Sequence, residues 1–403
     1  MMKTSFCSCK NHTETIEVYD FGMMPRVNNY SSNQEDNDRS SLILTVCESC
    51  KLVQLSSMPD LNSIYLEYDH ISSASTSNVR HLKNVAEIIN NKHNDRKTLL
   101  EVGCNDGTFL RNINKNFISH GIDPAKNVYQ KKSSDNFSIH NLFFDTSNQL
   151  KIRNLVGEKV DIIIGLNVFA HNSTYNDMFS AVKYLLASDG YAYVEVAYAK
   201  DTILSGNFDT IYHEHFCNYT LTSLINILKE NELMVVDVDK VRTQGGSLGI
   251  WIEHLNENKE VSGNIDVILK EEHDFGISDV SMYMKLSKVI EHKIFNIKSR
   301  FLANAIHKKV LIVGVPARGV ITANVCNFKT LQNAVAIDDT PEKQGYNIPG
   351  TNIPIENPEE VDYKNFDIAC ILAWTYKDDL IKRIKKAGFD GDIFVPFPDG
   401  KYI

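Results

Sequence analysis

The chain lacks three features that would indicate a membrane, a secretory pathway or nucleic acid. No apolar run approaches the roughly 20 residues that a membrane-spanning helix requires. The first residues contain no apolar core of the kind that a secretory signal needs. Lysine and arginine number 42 against 51 acidic residues, a net charge of -9, whereas nucleic-acid-binding domains usually carry a basic excess. We therefore expect a cytoplasmic protein with no membrane or nucleic-acid partner.

Cysteine is too sparse for a disulfide framework, since the 403 residues include only 8. Four of them cluster, because Cys7 and Cys9 form a C-x-C pair and Cys47 and Cys50 form a C-x-x-C pair. Clustered thiolates in a reducing compartment favour a structural zinc site. The C-x-C pair is the weaker half, and His12 could replace one thiolate. Four ordinary thiols are the alternative.

Strand and helix patterns alternate along most of the chain. TLLEVGC, KVDIIIGLNVF and GYAYVEVAY are strand-like, and GTFLRNINKN and MFSAVKYLLA are helical patterns between them. This alternation predicts the α/β class, with parallel sheets covered by helices on both faces. We expect an N-terminal thiol domain over 1–75, a ligand-binding domain over 76–255, a helical connector over 256–307 and a second α/β domain over 308–403. One long amphipathic helix is predicted over 278–307, whose apolar face at three- to four-residue steps consists of Met282, Leu286, Val289, Ile290, Ile297 and Phe301.

The sequence EVGCNDG is typical of a first strand that turns tightly beside a ligand. Gly103 and Gly107 let the backbone approach that ligand without a Cβ in the way. Asn105 and Asp106 fill the space that a third glycine would leave for a pyrophosphate, and they supply acceptors instead. Asp123 follows about twenty residues on, where an acid can accept both ribose hydroxyls. This pattern favours a cationic amino-acid ligand such as S-adenosylmethionine; a turn without a ligand is the alternative.

Polar residues with acid–base chemistry are concentrated in the run YHEH, residues 212–215. A histidine with a pKa near 6.5 can act as a general base at neutral pH, and an adjoining carboxylate can orient it. The alternative is a polar loop with incidental histidines. Asn167 and His171 follow an earlier strand, at the edge where open α/β sheets bind ligands. A structural role for His171 is the alternative there.

Two later glycine turns are candidate substrate contacts. Gly245 and Gly246 precede the apolar run GIWI, and their backbone could line a cleft. Residues 314–319 follow the strand VLIV, and a turn at a helix N-terminus is a natural anion site. Arg318 in this turn would add a charge-assisted partner for phosphate. A purely structural turn is the alternative at both places.

These motifs together resemble the sugar C-methyltransferases, which add branched methyl groups to nucleotide-linked deoxyketosugars. The resemblance covers almost the whole chain. The matching residues are the N-terminal thiols, Pro25, Asn28, 47–55, Tyr68, Ser72, Ser73, Ser75, the E-x-G-x-N-D-G-x-x-L run of 101–110, Asn167, His171, 212–215, Gly245, Gly246, 314–319, 338–345, Pro349, Gly350 and 353–355.

The resemblance implies a zinc-binding N-terminal domain, a central class I methyltransferase domain with a Rossmann-like fold, and a C-terminal Rossmann-like domain that helps to bind the sugar nucleotide. The expected ligands of a structural Zn²⁺ are Cys7, Cys9, Cys47 and Cys50. The expected S-adenosylmethionine-binding residues are Glu101, Gly103, Asn105, Asp106, Gly107, Asp123 and Asn167. The expected catalytic residues are Tyr68, Asn167, His171, Tyr212, Glu214 and His215. The expected substrate-binding residues are Tyr68, His171, Gly245, Gly246, Arg318 and Lys343.

Within this resemblance, His215 matches the proposed base that removes the proton next to a 4-keto group. Two positions depart from the family. The first thiol pair is C-x-C here and normally C-x-x-C there. Trp374-Thr375 stands where the family often has Trp-Asn, which puts a nucleotide contact at that threonine in question.

The expected function is therefore an S-adenosylmethionine-dependent C-methyltransferase for branched-sugar biosynthesis. It would deprotonate the carbon next to the ketone of a nucleotide-diphosphate 4-keto-deoxysugar and methylate that carbon, C3. An enolate nucleophile of this kind requires a base and donors at the ketone oxygen. An O- or N-methyltransferase on a nucleotide sugar, and a non-catalytic nucleotide-sugar-binding protein, are the alternatives. We expect a monomer or a weak homo-oligomer.

Overall fold

The computed structural model describes residues 6–9, 13–30, 39–57, 65–66, 71–92, 96–129, 137–157, 159–243 and 245–403. The strands are β1 (Thr15–Pro25), β2 (Arg39–Cys47), β3 (Val53–Leu55), β4 (Thr98–Val102), β5 (Ile118–Ile122), β6 (Phe137–His140), β7 (Val160–Leu166), β8 (Leu186–Ala197), β9 (Cys217–Asn218), β10 (Leu233–Val241), β11 (Ser247–His254), β12 (Val310–Val313), β13 (Ala334–Ile337), β14 (Ile355–Glu356), β15 (Ile368–Ile371), β16 (Asp392–Val395) and β17 (Lys401–Tyr402). The α-helices are α1 (Thr76–Lys92), α2 (Lys126–Tyr129), α3 (Gln149–Val156), α4 (Tyr175–Leu185), α5 (Leu221–Glu230), α6 (Gly263–Phe275), α7 (Val280–Ile297), α8 (Ala303–Ala305), α9 (Ala317–Val325) and α10 (Lys377–Lys386).

These strands form three sheets. The N-terminal sheet is antiparallel, with the order β1-β2-β3-β9. The central sheet has the order β10-β11-β8-β7-β4-β5-β6, in which β4 to β8 and β10 run in one direction and β11 runs antiparallel to its neighbours β8 and β10. The C-terminal sheet has the order β14-β13-β12-β15-β16-β17 and is parallel except for β17.

The central and C-terminal sheets each reverse their strand order beside the first strand. In the central sheet β4 lies between β5 and β7, and in the C-terminal sheet β12 lies between β13 and β15. Open α/β sheets bind ligands at this point, outside the carboxyl ends of the strands. Each of the two sheets therefore has its own ligand-binding edge.

Burial follows the sequence pattern in most elements. Every residue of β12 is buried, as expected of a parallel strand covered on both faces. Helix α1 buries one stripe at helical spacing, formed by Leu82, Val85, Ala86 and Ile89. The largest cluster of buried apolar side chains extends through all three sheets, so the sheets share one core.

Two elements differ from the sequence prediction. The predicted helix GTFLRNINKN is only a 3₁₀ turn, Leu110–Asn112, because Gly107 adopts a φ of +74° and the following chain stays in turns. The long helix over 278–307 is present as α7 and α8, joined by a π-helical turn, Lys298–Leu302. Val289, assigned to its apolar face, is 41% exposed. Within the described ranges, no helix combines the length and the apolar character that crossing a membrane would require.

Candidate functional site

The four predicted thiols meet at the edge of the N-terminal sheet. All four are buried and unoxidised, and their sulfur atoms lie within 4.8 Å of one another. Cys7 Sγ lies 3.5 Å from Cys50 Sγ, and Cys9 Sγ lies 3.8 Å from Cys47 Sγ. Four thiolates around a tetrahedral zinc, with Zn–S near 2.3 Å, would be about 3.8 Å apart. The residues therefore fit a four-thiolate metal centre, and the C-x-C pair takes part in the cluster like the C-x-x-C pair.

The predicted turn after β4 is held by Asp123, the residue that follows β5. Asp123 Oδ2 accepts the Asn105 backbone N–H at 2.8 Å, and its Oδ1 accepts the N–H of Ala125 at 2.9 Å. Gly103 and Asn105 have φ values of +67° and +47°, so the turn uses left-handed backbone at two positions. A Cβ on Gly103 would lie 2.8 Å from Val168 Cγ2, which requires glycine there.

The acidic side of this turn is Asp106. Burial alone would raise the pKa of Asp106, but hydrogen bonds from Ser73 and Thr108 and the charge of Arg111 outweigh it and lower the pKa. The carboxylate is therefore ionised at neutral pH, and it is only 7% exposed. Glu101, at the end of β4, is also buried. Buried negative charge and the absence of a Cβ at the turn fit a cationic amino-acid ligand.

Asn167 and His171 lie beyond the carboxyl end of β7, next to the β4 turn. Asn167 has a φ of +57°, and its N–H bonds to the carbonyl of Glu195 at 2.8 Å. His171 Nδ1 lies 2.9 Å from the hydroxyl of Tyr65. Its ring meets the ring of His215 edge-on, with 5.1 Å between centroids. The run 212–215 therefore reaches the carboxyl edge of the central sheet.

The hydrogen bonds of His215 fix which ring nitrogen carries the proton. Its Nδ1 lies 3.1 Å from the carbonyl oxygen of Thr210, and a carbonyl can only accept, so Nδ1 donates. Nε2 lies 2.6 Å from the hydroxyl of Tyr212. In the neutral imidazole Nε2 then holds a lone pair and accepts the phenol O–H. This arrangement presents a basic nitrogen with a fixed tautomer.

The surroundings of His215 keep its imidazole neutral. Burial is the main cause that lowers its pKa well below 6.5, and positive charge on His171 and Arg318 lowers it further. Burial and the nearby Glu214 carboxylate raise the pKa of Tyr212, and the same two causes raise that of Tyr65. Both phenols therefore keep their protons at neutral pH, beside an unprotonated imidazole.

The other members of the run 212–215 contact the N-terminal sheet. Glu214 Oε1 accepts a hydrogen bond from the Asn28 amide at 2.6 Å. His213 Nε2 lies 3.3 Å from the Ser40 carbonyl oxygen, directed away from His215. Two residues later β9 pairs with β3, with Cys217 opposite Gln54. The sheet that carries the thiols therefore supports the histidine run from one side.

The C-terminal turn has a similar construction. Gly314 follows β12 with a φ of +76°, and the N–H of Val315 bonds to Asp338 Oδ2 at 2.7 Å. Lys343 Nζ donates to the Val315 carbonyl at 2.9 Å and lies 3.3 Å from Asp338 Oδ2. Pro316 precedes α9 as its N-cap, so the turn leads straight into a helix N-terminus.

The Arg318 side chain extends from this turn to Asp209, which lies just before the run 212–215. Its Nε and Nη2 donate to the two carboxylate oxygens of Asp209, at 3.1 and 3.2 Å. Trp374 Nε1 donates to Asp209 Oδ2 at 2.7 Å, and the guanidinium lies 4.8 Å from the indole centroid. Arg318 Nη1 would lie 3.5 Å from a Cβ built on Gly245. Gly246 packs against Asp201.

The structure thus brings His171 and the run 212–215 together at the carboxyl edge of the central sheet, and Asp209 connects this region to Arg318 of the C-terminal turn. Tyr68 lies outside the described residues. Sequence reasoning missed Tyr65, the partner of His171, and Asp209, the partner of Arg318. It also missed a buried Glu195 that bonds to His81 at 2.7 Å. The signal for Asp209 was its place just before the run 212–215, but nothing in the sequence pairs it with Arg318.

Comparisons with known proteins cover nearly the whole chain. A family described as "Methyltransferase domain" matches residues 76–238, and one described as "C-methyltransferase C-terminal domain" matches residues 242–398. C-methyltransferase NovU from Streptomyces niveus is 26% identical over 411 residues, which cover 98% of this chain and 96% of that protein. The chain is an S-adenosylmethionine-dependent methyltransferase that is similar to the C-methyltransferases. Its central sheet confirms the predicted class I methyltransferase fold.

Solved structures are similar to slightly less than half of this methyltransferase. Magnesium protoporphyrin IX methyltransferase from Synechocystis PCC 6803, with bound S-adenosylmethionine, is 13% identical with a TM-score of 0.33, covering 44% of this chain and 79% of its own. The PH0226 protein from Pyrococcus horikoshii OT3 is 14% identical with a TM-score of 0.35, covering 49% of this chain and 100% of its own.

Proposed function

We propose that this methyltransferase acts on a nucleotide-diphosphate 4-keto-deoxysugar, removing a proton from the carbon next to the ketone, C3, and methylating that carbon. The observation that carries the proposal is the pair Tyr212 and His215, in which a neutral imidazole accepts a phenol hydrogen bond at 2.6 Å. Transfer of a methyl group to oxygen or nitrogen needs no carbon base, whereas transfer to a ketone's neighbouring carbon does. The methyl donor and the cleft are common to both reactions, so the base distinguishes them.

In this proposal the β4 turn holds S-adenosylmethionine. Asp106 would receive the amino group, and Asp123, which follows β5 at the carboxyl edge of the sheet, would receive the ribose hydroxyls. Glu101, Gly103, Asn105, Gly107 and Asn167 line the same turn. When bound, the cofactor supplies an electrophilic methyl group on sulfur, and the protein contributes alignment.

The proton follows a defined route in this proposal. It leaves the sugar carbon for His215 Nε2, and the C–H electron pair moves into the carbonyl to give an enolate oxygen. The imidazolium so formed keeps its Nδ1–H bond to Thr210. Tyr212, released from Nε2, can donate its O–H to the enolate oxygen, because its raised pKa keeps it protonated. The enolate carbon would then take the methyl group as its bond to sulfur breaks, and S-adenosylhomocysteine would be the leaving group.

The nucleotide part of the substrate is assigned to the C-terminal turn. The N-terminus of α9 with Arg318 supports a diphosphate there, since backbone N–H groups and a guanidinium both favour anions. Asp338 follows β13 as Asp123 follows β5, which supports a second ribose contact. Lys343 holds Asp338, and Gly245 and Gly246 border the cleft.

The four thiols are proposed to hold a structural zinc, since sulfur ligands in a closed tetrahedral set are typical of that role. The tyrosine hydroxyl of Tyr175, 2.9 Å from Cys7 Sγ, would then support one thiolate from α4. Thiolates of this kind persist in a reducing compartment, which is the reason for proposing the cytoplasm.

The test is proton exchange in deuterated water, measured separately from methyl transfer. A panel of thymidine, guanosine and cytidine diphosphate 4-keto-deoxysugars is incubated with the enzyme, with and without labelled S-adenosylmethionine. We expect deuterium at one ring carbon without the methyl donor, and the label at the same carbon with it. Label on oxygen or nitrogen with no exchange would replace the proposal with O- or N-methylation. His215→Asn, which keeps a polar group near the position of Nδ1 but has no basic nitrogen, should abolish exchange while S-adenosylmethionine still binds.

A further inference from the structure

Asp209 is a buried carboxylate that no step of the proposed reaction uses. It is 1% exposed and accepts three hydrogen bonds, two from the Arg318 guanidinium at 3.1 and 3.2 Å and one from the Trp374 indole at 2.7 Å. Both donors belong to the C-terminal sheet's side of the cleft. The charge of the Asp209 carboxylate is thus balanced by Arg318, and its oxygens accept three hydrogen bonds. Removing either charged group would leave the other one buried without an opposite charge.

The 3₁₀ turn that carries Asp209, Phe208–Thr210, also contacts Phe397 near the end of the chain, and α7 holds the residue before it. The Phe208 ring lies 5.1 Å from that of Phe397, and Lys293 Nζ donates to Asn207 Oδ1 at 3.1 Å. The turn therefore has little freedom to move independently of the C-terminal sheet.

The residue after Asp209 is the one that fixes the tautomer of His215. Thr210 offers its carbonyl oxygen to His215 Nδ1–H at 3.1 Å. Which imidazole nitrogen carries the proton is set by the hydrogen bond that the other makes. If this carbonyl turned away, the proton could move to Nε2, and Nε2 would no longer be a base.

Arg318 connects this arrangement to the nucleotide side. The same guanidinium that holds Asp209 stands at the N-terminus of α9, with Nη1 beside Gly245. We propose that Asp209 is a positioning residue that joins the C-terminal turn to His215: by holding its own turn in place it keeps the Thr210 carbonyl on Nδ1–H and so maintains the basic tautomer. This inference rests on the proposed function, and it assigns to Asp209 and its partners a role in the rate of proton removal.

The first test separates rate from binding. Asp209→Asn keeps the shape of the side chain and removes its charge. We expect it to lower kcat for proton exchange about 100-fold, the scale of a misplaced catalytic group, with KM changed less than about threefold. A rise in KM with unchanged kcat would overturn the inference, because Asp209 would then serve binding alone. An unchanged kcat and KM would overturn it equally.

The ion pair of Arg383 with Asp339 provides a matched control. Two guanidinium nitrogens of Arg383 donate to the two carboxylate oxygens of Asp339, at 2.6 Å each. This pair is on the surface, where the Asp339 side chain is 64% exposed. Asp339→Asn removes the same charge from the same kind of pair. It should leave kcat and KM for exchange at the wild-type values, because exposed ion pairs contribute little.

The second test needs no substrate, so it remains decisive if the proposed function fails. The ¹⁵N shifts of the His215 ring, assigned by their loss in His215→Asn, should show Nδ1–H in the wild type and a mixture with Nε2–H in Asp209→Asn. An unchanged tautomer would overturn the inference even if the wild type exchanges protons. Conversely, a wild type that exchanges no ketosugar would refute the function while the tautomer result stands.

A milder variant guards against misfolding. Trp374→Phe removes the indole N–H that reaches Asp209, keeps an aromatic ring beside the Arg318 guanidinium and leaves both partners of the ion pair in place. We expect about a 10-fold loss of kcat in the same direction, as for one hydrogen bond of about 1.4 kcal/mol. Wild-type kcat in this variant, together with a misfolded Asp209→Asn, would count against the inference.

Discussion

The central and C-terminal sheets build the same turn with opposite charge beside it. In both, a left-handed glycine follows the first strand, Gly103 in one and Gly314 in the other. In both, a carboxylate after the second strand accepts a turn N–H, at 2.8 Å for Asp123 and 2.7 Å for Asp338. The central turn then presents Asp106 and continues through irregular backbone, whereas the C-terminal turn enters a helix and presents Arg318.

The difference indicates how one scaffold can sort two ligands. An ionised Asp106 favours a cationic ligand, and a helix N-terminus with Arg318 favours an anion. The cofactor carries positive charge on sulfur, and the proposed substrate carries a diphosphate. In the proposed function, the charge next to each turn therefore directs the cofactor to the central sheet and the nucleotide to the C-terminal sheet.

The largest effect is expected from removing metal at the four thiols. These thiols belong to the N-terminal sheet and to neither of the two turns, so their loss should affect both turns alike. Structural zinc contributes about 10–16 kcal/mol in small zinc-binding peptides. We expect Cys47→Ser or chelation to lower the unfolding temperature and to abolish methylation. Metal content and thermal unfolding are the measurements. The control Cys326→Ser changes a buried thiol that follows α9, and this variant should retain the metal. Metal-free protein with an unchanged melting temperature would contradict the proposal.

Glycine substitutions should separate the two turns. A Cβ would lie 2.8 Å from Val168 at Gly103 and 2.6 Å from Ala373 at Gly314, and both positions have positive φ. Backbone strain and overpacking each cost about 1–3 kcal/mol. We expect Gly103→Ala to lose S-adenosylmethionine and Gly314→Ala to lose nucleoside diphosphates, measured by calorimetry.

The control for these variants is Gly157→Ala. Gly157 has a φ of +94° but nothing within 4 Å of its added Cβ, so it carries the strain without the clash. It should bind both ligands normally. If either site variant lost both ligands, the two turns would not be independent.

A tenfold to hundredfold effect is expected from the paired carboxylates. Hydrogen bonds to a charged group contribute about 1.5–3 kcal/mol, so Asp123→Asn should weaken S-adenosylmethionine binding by that amount and spare nucleotide binding. Asp338→Asn should do the reverse. Titration of both variants with both ligands completes the comparison. Equal losses of both ligands in one variant would show that the carboxylates only maintain the fold.

The smallest effect concerns pH. Because burial, His171 and Arg318 lower the pKa of His215, the imidazole stays unprotonated as pH falls below 6.5. The acid limb of kcat/KM for exchange should therefore lie below pH 6.5. Arg318→Gln removes one of the lowering charges, leaving Glu214 and Tyr212 nearby, and should move that limb upward by less than about one pH unit. A downward shift would contradict the electrostatic account.

Local motifs were predictable from the sequence, and contacts between distant residues were not. The β4 turn and the thiol cluster follow from spacing over a few residues and from residue type. The ion pair of Arg318 with Asp209 joins positions 109 apart, and the contact of Tyr65 with His171 joins positions 106 apart. No periodicity within one element encodes such pairs, because they depend on how the sheets pack together.

The failed helix at GTFLRNINKN has a local cause that composition alone does not show. Gly107 takes a left-handed φ of +74° to bring the turn close to Phe137, and the chain leaves that conformation through turns rather than a helix. The exposure of Val289 has a different cause. Its position at helical spacing suggested burial, but it lies at the margin of the stripe that α7 buries. The spacing of apolar residues predicts which face of a helix is buried, but it does not predict how wide that buried face is.

The pairing of β3 with β9 has a consequence for synthesis on the ribosome. Gln54 and Cys217 are neighbours in one sheet, but Cys217 leaves the ribosome about 160 residues later. At about 5–20 residues per second, that interval is on the order of 10 s. During it, the cysteine-bearing strands have an unpaired edge, and such edges are prone to join other chains. Metal capture by the nascent segment would order the thiol cluster early, but the edge of β3 would stay unpaired until β9 is synthesised.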